Sequence, residues 1–77
     1  MSRVNFEKES KERQMFINFW DMCQRFWIPE KDDLYWNEFI AAVDAFTVKY
    51  QDIPGNFATK IAVSLIEAKE AEMRGEE

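Results

Sequence analysis

The segment PEKDDLYWNEFIAAVDAFTVKY, residues 29–50, decides the fold of this chain. Within it, aromatic and aliphatic side chains recur at the three- and four-residue spacing of an α-helix. Pro29 disfavours helical geometry at the residue before it, so any earlier helix has to end there. Asp32 or Asp33 can cap the new helix, because an N-cap carboxylate accepts a hydrogen bond from a free N–H of the first turn. The segment therefore predicts a helix over 33–50 that follows a corner.

Two further helices are predicted on either side of this segment. Upstream, apolar residues gather on one face of a helix between residues 10 and 27. Downstream, QDIPGN breaks the pattern, and Asn56 is a good N-cap for a third helix. Short connections between the three segments favour antiparallel neighbours. The prediction is an all-α fold, an up-down-up three-helix bundle with helices over about 10–27, 33–50 and 56–73.

Length and composition favour one small folded domain. The chain has 77 residues, near the lower limit for an unaided hydrophobic core, but 47% of them are hydrophobic and 16% aromatic. Residues 1–9 lack an apolar stripe and are predicted to fray or to dock loosely. Residues 10–74 are predicted to form the helical domain, and residues 75–77 an acidic tail.

Charge and cysteine content restrict the environment and the partners. A single cysteine, Cys23, allows no internal disulfide and favours a reducing compartment. The apolar runs are too short for a membrane span or a signal peptide. The net charge of -5 disfavours nucleic acid, whose binding requires a basic surface. The sequence thus predicts a soluble, cytoplasmic protein without direct nucleic-acid or membrane binding.

The residues that carry most enzyme chemistry are missing or poorly placed. Histidine, the commonest general base and metal ligand, does not occur in the chain. Cys23 falls on the apolar arc of the first helix, where an inert buried thiol is expected. Asp32, Asp33 and Glu38 lack the alternating ligands and central glycine of a calcium loop. We predict a protein with no enzymatic activity, no metal site and no cofactor.

Aromatic side chains are more numerous than the thin faces of so small a bundle can easily bury. Singly each is more often a core residue, but the surplus suggests an interface, where Trp and Tyr act as anchors. Four aliphatic residues on the nominally polar faces agree with this: Ile17, Leu34, Val48 and Val63. We predict a protein–protein interaction module that forms a homodimer or binds a host protein. The predicted interface consists of Phe16, Trp20, Trp27, Tyr35 and Trp36.

Acidic residues would gather at one end of an up-down-up bundle, because the first corner and the C-terminus lie at the same end. This predicted acidic pole consists of Glu30, Asp32, Asp33, Glu70 and Glu72, followed by Glu76 and Glu77. One interpretation is helix capping together with a solubilising surface. The alternative is an acidic inhibitor that imitates nucleic-acid phosphates to block a nucleic-acid-binding or defence protein. Three basic residues interrupt the pattern: Lys31, Lys69 and Arg74.

Residues 29–50 also resemble uncharacterised small helical proteins of phages and conjugative elements of Gram-positive bacteria. The likeness rests on the acidic corner, the aromatic pair Tyr35–Trp36 and the Lys-Tyr end of the helix. It implies an origin in a mobile element and, because small helical proteins of that origin often bind a host protein, a protein partner. That group of proteins has no assigned activity, so the resemblance supplies neither an activity nor site residues.

Overall fold

The computed structural model describes residues 3–75, which form three α-helices joined by two corners. Helix α1 spans Lys11–Arg25, α2 spans Asp33–Lys49 and α3 spans Phe57–Met73, and a short 3₁₀ turn over Pro54–Asn56 precedes α3. Each helix contacts the other two, and the described part of the chain contains no strand. The predicted all-α class is therefore confirmed.

Helix α1 ends two residues earlier than predicted. Ser10 caps its start, where the side-chain oxygen accepts a hydrogen bond of 3.2 Å from the backbone N–H of Arg13. At the other end, Phe26 leaves helical geometry with φ -114° and ψ 20°. Its carbonyl oxygen accepts a hydrogen bond of 2.7 Å from the hydroxyl of Tyr35. Because the helix stops at this point, Trp27 lies outside α1, in the corner.

Helix α2 is capped by Asp32 and begins at Asp33. The Oδ1 atom of Asp32 accepts a hydrogen bond of 2.8 Å from the backbone N–H of Tyr35. The helix ends at Lys49, with Tyr50 as its C-cap. Five members of the predicted apolar face are buried, which confirms the periodicity: Tyr35, Phe39, Val43, Phe46 and Tyr50.

Asn56 is the N-cap residue of α3, as predicted, but it caps the helix without its side chain. Asn56 directly precedes the helix, but its side chain makes no capping hydrogen bond. A capping side chain requires extended backbone geometry. Gly55 (φ 79°) and Asn56 (φ 54°) instead adopt left-handed geometry, which turns the chain sharply before Phe57.

Aromatic rings of α1 and α2 form the centre of the core. Phe39 is fully buried and stacks on Phe26, with ring centroids 4.7 Å apart and planes inclined by 9°. The ring centroids of Phe19 and Phe46 lie 6.0 Å apart. Helix α3 closes the core with smaller side chains, which allow it to approach closely: Ala58, Ala62 and Leu65.

Polar contacts join α1 to the end of α2 and to the loop that follows. The Nζ atom of Lys11 lies 2.6 and 2.8 Å from the two carboxylate oxygens of Asp52. This hydrogen bond lowers the pKa of Asp52 below its ordinary value. Closer to the core, the side-chain amide of Asn18 donates a hydrogen bond to the hydroxyl of Tyr50. Both contacts hold the second corner against α1.

Candidate interaction surface

The five predicted interface residues do not share one environment. Tyr35 is only 7% exposed, so its inclusion in the predicted interface is wrong. It lies one helical turn before Phe39 and therefore belongs to the buried stripe of α2. Trp36 is half-buried, with its ring centroid 5.8 Å from that of Phe39 and 4.9 Å from that of Tyr35. The other three residues are exposed: Phe16 by 40%, Trp20 by 66% and Trp27 by 59%.

These three residues belong to one continuous apolar surface, which we call the α1 aromatic face. Its members are Phe16, Ile17, Trp20, Trp27 and Ile28, and all of them are exposed. Phe16 and Trp20 lie one turn apart on the same side of α1. Trp27 and Ile28 extend the surface into the first corner. Single exposed apolar residues are ordinary, whereas a contiguous apolar patch is typical of an interaction site.

Two open cavities lie along the α1 aromatic face and share Trp20. The first has a volume of about 550 Å³ and is also lined by Phe6, Arg13, Phe16 and Ile17. The second has a volume of about 790 Å³, and its further lining includes Cys23, Trp27, Ile28, Arg25 and Glu30. Together the two cavities form one groove with Trp20 in its middle. The groove is apolar along its length and carries charged side chains towards both ends.

Aromatic contacts extend the surface beyond α1. The ring of Phe6, in the non-helical segment before α1, lies 6.0 Å from the ring of Phe16. Phe57, the first residue of α3, meets Phe16 edge-on at 5.8 Å. Phe6 and Phe57 remain about half exposed themselves. The ring of Phe6 thus docks the N-terminal segment at one end of the groove.

Lys69 holds Trp27 in place, although the sequence indicated Lys69 only as one of the basic residues that interrupt the predicted acidic pole. Lys69 is 3% exposed, and its Nζ atom donates hydrogen bonds of 2.9 Å to the carbonyl oxygen of Trp27 and 2.8 Å to Glu72 Oε2. The same atom lies 3.8 Å from the centre of the Trp27 ring. These contacts offset the cost of burying an ammonium group. The burial of Lys69 could have been predicted from helical spacing, because Lys69 follows Leu65 by four residues on the buried stripe of α3.

Cys23 contributes to the second cavity as a half-buried thiol. Burial raises its pKa, and the positive charge of Lys69 acts in the opposite direction with the smaller effect. A raised pKa disfavours the thiolate, which is the nucleophilic form. The side chain of Cys23 forms part of the lining of the groove.

All residues of the predicted acidic pole that the structure describes are exposed. Burial, followed by the carboxylates of Glu72 and Glu30, raises the pKa of the Tyr35 hydroxyl. Two pole residues have structural partners, because Asp32 caps α2 and Glu72 pairs with Lys69. The last two predicted members lie outside the described residues: Glu76 and Glu77.

Comparisons with known proteins add no further assignment. No family model matches the chain, and searches of curated proteins and of solved structures found no similar protein. The resemblance of residues 29–50 to proteins of mobile elements therefore stays a prediction. Over residues 3–75, no helix has the length and apolar character needed to cross a bilayer. The same part of the chain holds no group of three or more potential metal ligands.

Proposed function

We propose that this protein is a non-enzymatic interaction module that binds protein through the α1 aromatic face and pairs with a second copy of itself. The carrying observation is that Trp20 and Trp27 stay more than half exposed on one groove, although five of the other ten aromatic side chains are buried. Tryptophan is among the residues most enriched at interface hot spots. Covering the face removes apolar surface from water, which is the main driving force of association.

The size of the α1 aromatic face supports a small but specific interface. A large aromatic side chain buries roughly 150–250 Å² when fully covered, so the exposed parts of the face amount to about 600 Å² per protomer. Two such faces together reach about 1,200 Å², which is at the lower end of the range for stable complexes. This area fits a dimer that dissociates on dilution.

Contacts within the chain hold parts of the face ready for binding. Lys69 fixes both the carbonyl group and the ring of Trp27. Phe16 is held between Phe6 and Phe57. Side chains that are already ordered lose less conformational freedom on association. The free protein therefore resembles the binding-competent form at these two positions.

We also propose the up-down-up arrangement of the helices. Four contacts support it: Phe26 with Phe39, Asn18 with Tyr50, Phe16 with Phe57, and Trp27 with Lys69. In the first two, residue numbers fall along α1 as they rise along α2, which is the pattern of antiparallel neighbours. In the last two, residue numbers rise along α1 and the following corner as they rise along α3, which is the pattern of parallel neighbours. The proposal retains a cytoplasmic location and an origin in a mobile element.

Trp20→Ala is expected to weaken self-association at least about tenfold, because truncation of a central interface tryptophan typically costs about 2 kcal/mol or more. Sedimentation equilibrium at several protein concentrations measures the dissociation constant. The fold should persist, as judged by circular dichroism, since Trp20 is 66% exposed.

Val48→Ala is the matched control for this experiment. Val48 is one of the four exposed aliphatic residues that suggested an interface, but it lies on α2, away from the core stripe of that helix, and does not line the groove of the α1 aromatic face. Its truncation should leave the dissociation constant unchanged. A strictly monomeric unaltered protein at high micromolar concentration, or a Trp20→Ala variant that dimerises normally, would contradict the proposal.

The acidic inhibitor is the second candidate function, and it is favoured by the exposure of all five described residues of the predicted acidic pole. Asp32→Asn combined with Asp33→Asn is a clean test, because asparagine caps a helix about as well as aspartate. Mimicry predicts that the double variant, and added salt, weaken capture of a basic nucleic-acid-binding protein. Binding through the α1 aromatic face predicts that both leave self-association nearly unchanged.

A further inference from the structure

The groove on the α1 aromatic face carries opposite charges towards its two ends. Arg13 lines the first cavity and Glu30 lines the second, and both side chains are exposed. Within residues 3–75, neither side chain takes part in an ion pair. Arg25 also lines the second cavity, but its guanidinium lies over the ring of Phe26, 4.8 Å from the centroid. The groove is thus an apolar strip with an unpaired cation at one end and an unpaired anion at the other.

We infer that two copies of the chain pair through this groove about a two-fold axis, with α1 antiparallel to α1 of the partner and each Arg13 facing a Glu30. The inference rests on the proposed self-association and adds its geometry. In a two-fold interface the same patch lies on both sides, and each contact occurs twice. Opposite charges at the two ends attract in the antiparallel arrangement, whereas a parallel arrangement would bring like charges together.

The sequence positions of the groove residues agree with this register. Three pairs have a common midpoint, between residues 21 and 22: Arg13 with Glu30, Phe16 with Trp27, and Trp20 with Cys23. Trp20 and Cys23 lie within α1, so an antiparallel pairing centred at that point places them opposite each other. Trp27 and Glu30 lie in the corner, which extends the groove beyond Arg25 towards the first turns of α1 in the partner. Trp20 then packs beside the half-buried thiol near the axis, and Phe16 packs against Trp27 towards either end. Every apolar member of the three pairs lines the groove.

The two roles of the groove are expected to be separable. Exposed ion pairs contribute little affinity, but they penalise wrong orientations through like-charge contacts. The apolar side chains therefore supply most of the association free energy. The charges at the ends select the antiparallel orientation.

Charge reversal tests this geometry. Arg13→Glu and Glu30→Arg should each weaken the dimer about three- to tenfold, because each places like charges together twice in one dimer. The double variant restores opposite charges and the original net charge, so its dissociation constant should return to within about twofold of the unaltered protein. Sedimentation equilibrium at low salt measures all four proteins, and circular dichroism confirms that each is folded.

Lys60→Glu and Glu67→Arg are the controls for net charge, since both residues are exposed on α3, on the side opposite its buried stripe. They should change the dissociation constant by less than about twofold. If Arg13→Glu and Glu30→Arg have no effect while the unaltered protein dimerises, the register is overturned and the proposed function stands. The register is also overturned if both single variants weaken the dimer and the double variant does not restore its dissociation constant. A monomeric unaltered protein overturns both proposals.

Discussion

Phe39→Ala is expected to remove most of the protein's free energy of unfolding in water at room temperature. Phe39 is fully buried, stacks on Phe26 at 4.7 Å and lies 5.8 Å from the rings of Tyr35 and Trp36. Truncation of such a ring costs about 3–5 kcal/mol, because the lost burial is accompanied by a cavity that the surroundings cannot fill. Small domains are stable by about 5 kcal/mol or little more, so the substitution removes most of the free energy of unfolding.

Urea titration followed by circular dichroism measures this effect at one fixed protein concentration, because dimerisation would otherwise change the apparent stability. Val48→Ala serves as the control here as well. It removes an exposed side chain from the same helix and should change the free energy of unfolding by less than about 0.5 kcal/mol. An unfolding midpoint of Phe39→Ala equal to that of the control would show that the core is not centred on this ring.

Lys69→Ala is expected to lower the free energy of unfolding by about 2–3 kcal/mol, although substitution of a lysine usually changes stability little. The ammonium group donates a hydrogen bond of 2.9 Å to the carbonyl oxygen of Trp27 and lies 3.8 Å from its ring. A hydrogen bond from a charged group contributes about 1.5–3 kcal/mol, and a desolvated cation–π contact contributes about 2 kcal/mol. The cost of burying the charge offsets part of this sum. The buried stem adds to the loss.

Two further substitutions separate these contributions. Lys69→Met keeps the apolar stem and removes only the charge and the donor, so it should recover part of the lost stability. Lys60→Ala changes an exposed lysine on the same helix and should have an effect of less than about 0.5 kcal/mol. Urea titrations with intrinsic tryptophan fluorescence report on Trp27 as well as on the fold. Equal stability of Lys69→Ala and Lys60→Ala would mean that the contact with Trp27 does not stabilise the corner.

Features that depend on a few neighbouring residues could be predicted from the sequence. Asp32 caps α2 because a carboxylate at that position meets a free N–H group, whatever the rest of the chain does. The apolar period of α2 also predicted its buried residues, including Phe39 and Phe46. Asn56 is the local exception, because the Gly55 turn fixes its backbone before the side chain can cap the helix.

Features that depend on distant parts of the chain could not be predicted. The apolar arc of α1 is wider than its two neighbours can cover, and helical spacing does not say which edge stays exposed. The structure buries Met15, Met22 and Phe26 and leaves Trp20 outside. The burial of Lys69 depends on a carbonyl group 42 residues away in sequence.

The central claim is that the α1 aromatic face is covered by a second copy of the chain, and the three tryptophans allow a direct test of it. Each indole N–H group gives its own signal in a nitrogen–proton correlation spectrum of isotope-labelled protein. Over a dilution series, the signals of Trp20 and Trp27 should move with a common dissociation constant, whereas that of the half-buried Trp36 should stay nearly fixed. Concentration-independent signals of Trp20 and Trp27, or movement confined to Trp36, would contradict the account.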